Sequence, residues 1–205
     1  MDGRLTAEAD GAGALRSALT LPNAVTLVRL CLIPVYCWLV FAEHRYTQAA
    51  LLLALLGTTD WIDGQLARRL HQVSAVGKVL DPVADRILVL TAVISVAWVG
   101  AVPLWFAIAT LAREVLVSGA TLLLASLGAK RIDVLFVGKA GTFALMVAYP
   151  SFLFAWGPAG WQVLFSVIAW GFGLVGLVLA WIAAFSYVQP AREALAMGRQ
   201  GRQRA

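Results

Sequence analysis

The chain has 205 residues, 61% of them hydrophobic and 13% charged, with a net charge of +5. A mean hydropathy of +0.83 excludes an ordinary soluble domain and places the chain in a bilayer. Its Lys and Arg residues stand in short clusters between apolar runs, not along one solvated face, which speaks against a nucleic-acid-binding protein.

Residues 1–20, mixed in charge and rich in Ala and Gly, do not match the basic start, short apolar stretch and cleavage site of a secretory signal, and 1–22 form a separate N-terminal segment. They read as a cytoplasmic tail or as an interfacial helix, with Leu5, Leu15, Leu19 and Leu21 beside Arg4 and Arg16. A membrane crossing needs about 20 mostly apolar residues for roughly 30 Å of hydrocarbon. Six runs meet that length: Asn23 to Phe41, Gln48 to Arg68, Ser74 to Val99, Pro103 to Leu127, Gly138 to Trp156 and Trp161 to Tyr187. Cys31 and Cys37 fall in the first run without metal-ligand spacing and read as small buried apolar residues. Residues 189–205 form a basic tail suited to anionic headgroups.

Orientation follows from the excess of Lys and Arg in cytoplasmic loops. With the N-terminus inside, the inner segments hold Arg4, Arg16, Arg68, Arg69, Lys78, Lys130, Arg131, Lys139 and the tail arginines, whereas the outer joints hold Arg45 alone. Trp38, Trp98, Trp105, Trp156 and Trp161 fall near the outer ends, as interfacial anchors do. The expectation is an all-α integral membrane protein, a six-transmembrane-helix bundle over 23–188 with both termini inside.

Ionisable groups inside spans need a partner, a cavity or an ion. Here they are Arg29, Asp60, Asp63, Asp81, Asp85, Arg86, Arg113 and Glu114. Asp60, Asp63, Gly64 and Ala67 share one helical face, as do Gly77, Asp81 and Asp85 on the next span. Adjacent antiparallel helices would therefore turn four carboxylates towards each other across small residues. Such a set calls for cations, and oxygen-only ligands select Mg²⁺ first and Mn²⁺ second, with two ions fitting four carboxylates. Pro82 offers a kink or local unwinding beside the array. Neutralisation of the aspartates by Arg29, Arg68 or Arg86 is the structural alternative.

The order Asp60-x2-Asp63-Gly64-x2-Ala67-Arg68-x8-Gly77-x3-Asp81-x3-Asp85 resembles the signature of the CDP-alcohol phosphatidyltransferases at every fixed position. The resemblance extends to the six spans and implies a homodimeric enzyme of the inner (plasma) membrane, its site facing the cytoplasm. It would move a phosphatidyl group from CDP-diacylglycerol to an alcohol and release CMP. By that resemblance Asp60, Asp63, Asp81 and Asp85 hold two metal ions, and Asp85 is also the general base. Gly64, Ala67, Arg68 and Gly77 line the CDP-diacylglycerol site. Pro22-Asn23-Ala24-Val25-Thr26-Leu27-Val28-Arg29 resembles the entry of the glycerophospholipid-making branch. Asn23 and Thr26 there either contact nucleotide or serve as a helix cap and a back-bonded hydroxyl.

The acceptor is read from cations near the fourth and fifth spans, since a phosphomonoester is a dianion. Arg113, Arg131 and Lys139 are the candidates, with Arg29 for phosphate or carboxylate. Phosphatidylglycerophosphate synthases typically add a second Arg eight residues after the first and a second Lys two residues after the first. This sequence has Thr121 and Gly141 at those places. The two missing cations favour phosphatidylglycerol as acceptor, giving cardiolipin, over glycerol 3-phosphate. Val137 to Phe143 also resembles actinobacterial members of the family. A transporter or proton relay would instead spread its carboxylates over several spans and depths.

Overall fold

The computed structural model describes residues 21–70, 77–126, 136–157 and 160–186, with side chains placed at 24–59, 83–120, 136–157 and 160–186. The expected N-terminal tail up to residue 20, the joint carrying Lys130 and Arg131, and the basic C-terminal tail lie outside the described residues, while Leu21 and Pro22 of that tail already belong to the first helix. What is described is all α: α1 (Leu21–Phe41), α2 (Tyr46–Leu70), α3 (Gly77–Trp98), α4 (Leu104–Ser126), α5 (Phe136–Trp156) and α6 (Gln162–Ser186). Every bound lies within three residues of the expected run. The helix assignment of α3 continues unbroken past Pro82, so the local unwinding expected there is not found. A proline in the second turn removes only one backbone bond.

The chain divides into two compact units, residues 1–95 and 96–205. In the first, α1 buries Thr26, Arg29, Ile33, Tyr36 and Val40, a stripe spaced by threes and fours that is polar at its start and apolar beyond. α1 packs on α2, which buries Ala49, Ala50, Leu53 and Leu56. The joint is closed by a left-handed residue, His44 (φ 53°), after which the Arg45 amide returns to the Leu39 carbonyl at 2.9 Å. Two side-chain bridges tie α1 to α3: Arg29 to Asp85 and Tyr36 to Ser95. Residue numbers rise together along both bridges, so the two helices run in the same sense. Cys31 is exposed and Cys37 half-buried, both as free thiols. The expected burial of Cys31 fails because it lies off the Thr26–Val40 stripe.

In the second unit the turn after α3 is closed at Gly100 (φ 76°), where the Ala101 amide reaches back to the Val96 carbonyl at 2.9 Å. This is the closure that a left-handed glycine permits. α5 and α6 then pack closely along each other. Gly141 faces Gly176 and Ala180, Gly176 faces Ala144 and Leu145, and Gly173 faces Phe152. As one series rises the other falls, so the pair is antiparallel, with small residues setting the approach. α4 meets α6 through Phe106 on Trp170 and Arg113 on Ala180, a rising series on both sides and hence a parallel pair.

Three of these helices, α1 (over Ala24–Phe41), α5 and α6, are long and apolar enough among the described residues to cross a membrane. Leu27 and Val28 of α1 and Val163, Val167 and Val178 of α6 are exposed, large apolar side chains of the kind that lipid covers. Trp38, Trp98, Trp105, Trp156 and Trp161 are all half or more exposed at helix ends, the placement of interfacial anchors.

Candidate active site

The expected carboxylate array falls on the C-terminal half of α2 and the first turns of α3. Asp60, Asp63, Gly64, Ala67 and Arg68 stand within continuous helix, as do Gly77 and Asp81, so the three- and four-residue spacings keep their helical meaning. The side chains of these seven lie outside the described residues. Among the described residues no group of three His, Cys, Asp or Glu could hold a metal; of the four aspartates, only Asp85 has a described side chain.

Asp85 accepts a hydrogen bond from Arg29 Nη1 at 3.1 Å. The Arg29 side chain is 2% exposed and the Asp85 side chain 42%, so the pair runs from the buried stripe of α1 to an accessible face of α3. A guanidinium in such surroundings needs a carboxylate, and here it also fixes how that carboxylate is turned. Thr26 is buried one turn before Arg29. Asn23 lies inside the first turn of α1, which begins two residues earlier at Leu21; its side chain is not among those described.

The second polar group is buried in the other unit. Arg113 and Glu114 are both nearly excluded from solvent and form an ion pair through Arg113 Nη1 and Glu114 Oε1. Arg113 Nε donates to the Ala180 carbonyl at 3.3 Å. Two donor groups of this arginine, expected as an acceptor contact, are thus engaged inside the protein. The Tyr149 hydroxyl is buried beside the Thr110 hydroxyl, with the charges of Glu114 and Arg113 close by. Lys139, on the first turn of α5, is exposed. Arg131 and the side chain of Thr121 lie outside the described residues.

Gly141 has no room for any side chain. A Cβ there would stand 2.8 Å from the Ala180 nitrogen, 3.1 Å from the Gly176 oxygen and 3.2 Å from the Ala180 Cα. The missing second cation at this place is therefore a steric exclusion. Neither the Ala180 carbonyl nor Tyr149 was predictable as a neighbour of Arg113. The first carries no residue-type signal, and the second sits in an apolar run that reads as core.

A family model for CDP-alcohol phosphatidyltransferases matches residues 19–186, and the chain belongs to that family. It is an enzyme, a membrane transferase of a class that works with a divalent metal. Among named relatives it is 39% identical over 180 residues, 85% of this chain and 83% of the relative, to the cardiolipin synthase (CMP-forming) of Streptomyces coelicolor. It is 36% identical over 167 residues, 82% of this chain and 79% of the relative, to a putative cardiolipin synthase of Mycobacterium tuberculosis. It is 32% identical over 179 residues, 80% of this chain and 88% of the relative, to the CDP-diacylglycerol–glycerol-3-phosphate 3-phosphatidyltransferase of Bacillus subtilis.

Proposed function

We propose that the chain transfers a phosphatidyl group from CDP-diacylglycerol to phosphatidylglycerol, forming cardiolipin and releasing CMP. The observation that carries the acceptor reading is the closed position at Gly141, together with a neutral Arg113–Glu114 pair. Of the expected acceptor cations near the fourth and fifth spans, two have described side chains: Arg113 is compensated by Glu114 and Lys139 is exposed; one such free cation suits a phosphodiester, which carries one charge, better than a phosphomonoester dianion. The actinobacterial relatives named as cardiolipin synthases point the same way. Exposed Lys139 and the Bacillus subtilis relative favour glycerol 3-phosphate as the second reading.

In the reaction the acceptor hydroxyl oxygen forms a bond to the phosphatidyl phosphorus, the bond from that phosphorus to the CMP oxygen breaks, and CMP leaves with the bridging oxygen. Asp85 takes the hydroxyl proton, turned towards it by Arg29. Asp60, Asp63, Asp81 and Asp85 fit two Mg²⁺ ions, with Mn²⁺ as substitute, because the donor set is oxygen only and Asp85 presents a half-exposed carboxylate. When bound, those ions neutralise diphosphate charge. Arg68 pairs with phosphate oxygens, while Gly64, Ala67 and Gly77 keep the donor wall low and Asn23 and Thr26 contact the nucleotide. Six spans with both termini inside, a cytoplasm-facing site in the inner membrane, and a homodimer complete the reading. The helix senses within each unit, the exposed tryptophans at helix ends and the inner excess of Lys and Arg support the topology.

Purified protein with Mg²⁺ and CDP-diacylglycerol is supplied separately with phosphatidylglycerol, glycerol 3-phosphate and inositol phosphate. CMP and cardiolipin are expected with phosphatidylglycerol alone. Release driven by glycerol 3-phosphate overturns the acceptor reading, and no release with any of the three overturns the donor.

A further inference from the structure

We propose that Gly141 is a positioning residue that acts through the Ala180 main chain to set where the Arg113 guanidinium stands, and with it the affinity for the acceptor. The proposal rests on the reading of Arg113 as an acceptor contact. Its physical basis is that two unrelated contacts converge on one residue of α6. The Ala180 nitrogen lies 2.8 Å from where a Cβ at Gly141 would be. The Ala180 carbonyl accepts from Arg113 Nε at 3.3 Å.

The contact at Gly141 is with main-chain atoms, so no rotamer change can relieve it. A single methyl obliges the α6 backbone to retreat from 2.8 Å to at least 3.4 Å before contact is ordinary. Sliding is blocked as well. A Cβ at Gly176 would stand 3.0 Å from Ala144 Cβ, Leu145 Cγ and the Leu145 nitrogen, so the two helices are pinned at successive turns. A helix transmits such a retreat from the nitrogen to the carbonyl of the same residue, because its backbone has little freedom to bend locally. The Arg113–Ala180 bond is already at the long end of hydrogen-bond range. It is lost or re-aimed by a displacement of this size. Among the described residues the guanidinium then keeps its pair with Glu114, on its own helix.

Gly173 supplies the contrast. A Cβ there meets only aromatic side chains, Phe106 Cζ at 3.2 Å and Phe152 Cε2 at 3.4 Å. It tests α6 packing without touching the Ala180 main chain.

The test uses the full chain in lipid nanodiscs with Mg²⁺, measuring KM for acceptor and for CDP-diacylglycerol, kcat and melting temperature. Gly141→Ala is expected to raise the acceptor KM about tenfold with the CDP-diacylglycerol KM within about twofold. Gly173→Ala should lower the melting temperature and leave the acceptor KM unchanged. Arg113→Lys, which has no Nε, should reproduce the acceptor KM rise, and Gly141→Ala in that background should add nothing. Additive effects in the double variant, an unmoved acceptor KM in Gly141→Ala, or an equal rise in Gly173→Ala each overturn the proposal. If Gly141→Ala does not fold, an unchanged acceptor KM in Arg113→Lys overturns it alone. All constants are taken with whichever of phosphatidylglycerol and glycerol 3-phosphate drives CMP release. A failed acceptor assignment thus shows as a change of substrate, and a failed coupling as additivity.

Discussion

Arg29 on α1 and Asp85 on α3 form a bridge of unequal partners, the guanidinium 2% exposed and the carboxylate 42%. The burial is on the arginine side, so the stability of the pair and its chemistry are separable. Removing the carboxylate charge takes the Asp85 ion pair from a buried cation, a loss on the order of 3–5 kcal/mol for a fully buried pair and less for one half open to solvent.

With Asp85 as the proposed general base, Asp85→Asn is expected to lower the melting temperature and to cut CMP release by about a hundredfold or more. Adding Arg29→Met should restore the melting temperature, since neither charge then remains. It should not restore CMP release. Recovery of turnover in the double variant would mean that Asp85 serves only to neutralise Arg29.

Tyr36 and Ser95 make a second bridge between the same two helices, and its direction can be read from the neighbours. The Ser95 hydroxyl donates to the Ala92 carbonyl at 2.8 Å, which leaves Tyr36 as the donor between them. Both are fully buried. Tyr36→Phe removes the donor and leaves the Ser95 proton satisfied, a cost of about 1 kcal/mol. Ser95→Ala strands the Tyr36 hydroxyl and should cost about 1–3 kcal/mol. The order is checked by thermal unfolding in nanodiscs; a larger loss for Tyr36→Phe reverses the assignment.

How much of this was legible beforehand depends on the kind of interaction. Helix ends were, because apolar runs stop at residues such as Glu43-His44-Arg45 and Gly100 that bring charge or a left-handed turn. So was the need of Arg29 for an acidic partner, which follows from the cost of a lone guanidinium in hydrocarbon. The partner of Arg113 was only half legible. Glu114 is adjacent, but the Ala180 carbonyl is a backbone atom sixty-seven residues away and every residue has one. Gly141 read as a missing cation, whereas its role is set by an interhelical approach that one sequence does not reveal. Pro82 suggested unwinding and Cys31 suggested burial; helix continuity in α3 and the facing of α1 decided otherwise.

Metal dependence follows from the chemistry of the aspartates. Chelation by EDTA is expected to abolish CMP release, with activity restored by Mg²⁺ and in part by Mn²⁺. Zn²⁺, which prefers nitrogen and sulfur ligands, should not restore it. Full activity in EDTA would remove the metal from the reaction, and restoration by Zn²⁺ alone would require ligands outside the aspartate set.

The aromatic group of the second unit separates membrane packing from water-driven burial. Phe106 is fully buried, edge-on to Phe152 at 5.8 Å and to Trp170 at 5.9 Å, with Phe152 perpendicular to Trp170 at 5.3 Å. In a water-soluble core Phe→Ala costs about 3–5 kcal/mol, part of it the transfer of the ring out of water. In a bilayer the lipid tails are as apolar as the protein interior, so that part largely vanishes and the lost ring contacts remain. Phe106→Ala is accordingly expected to cost about 2 kcal/mol in nanodiscs, from the packing share alone. Turnover per folded molecule should be unchanged, since no polar group of the Arg113 cluster is among these ring contacts. A loss as large as in a soluble core would mean that water, not lipid, covers this face when the helices separate. A fall in kcat with folding intact would instead tie the aromatic group to the position of α6 at Ala180.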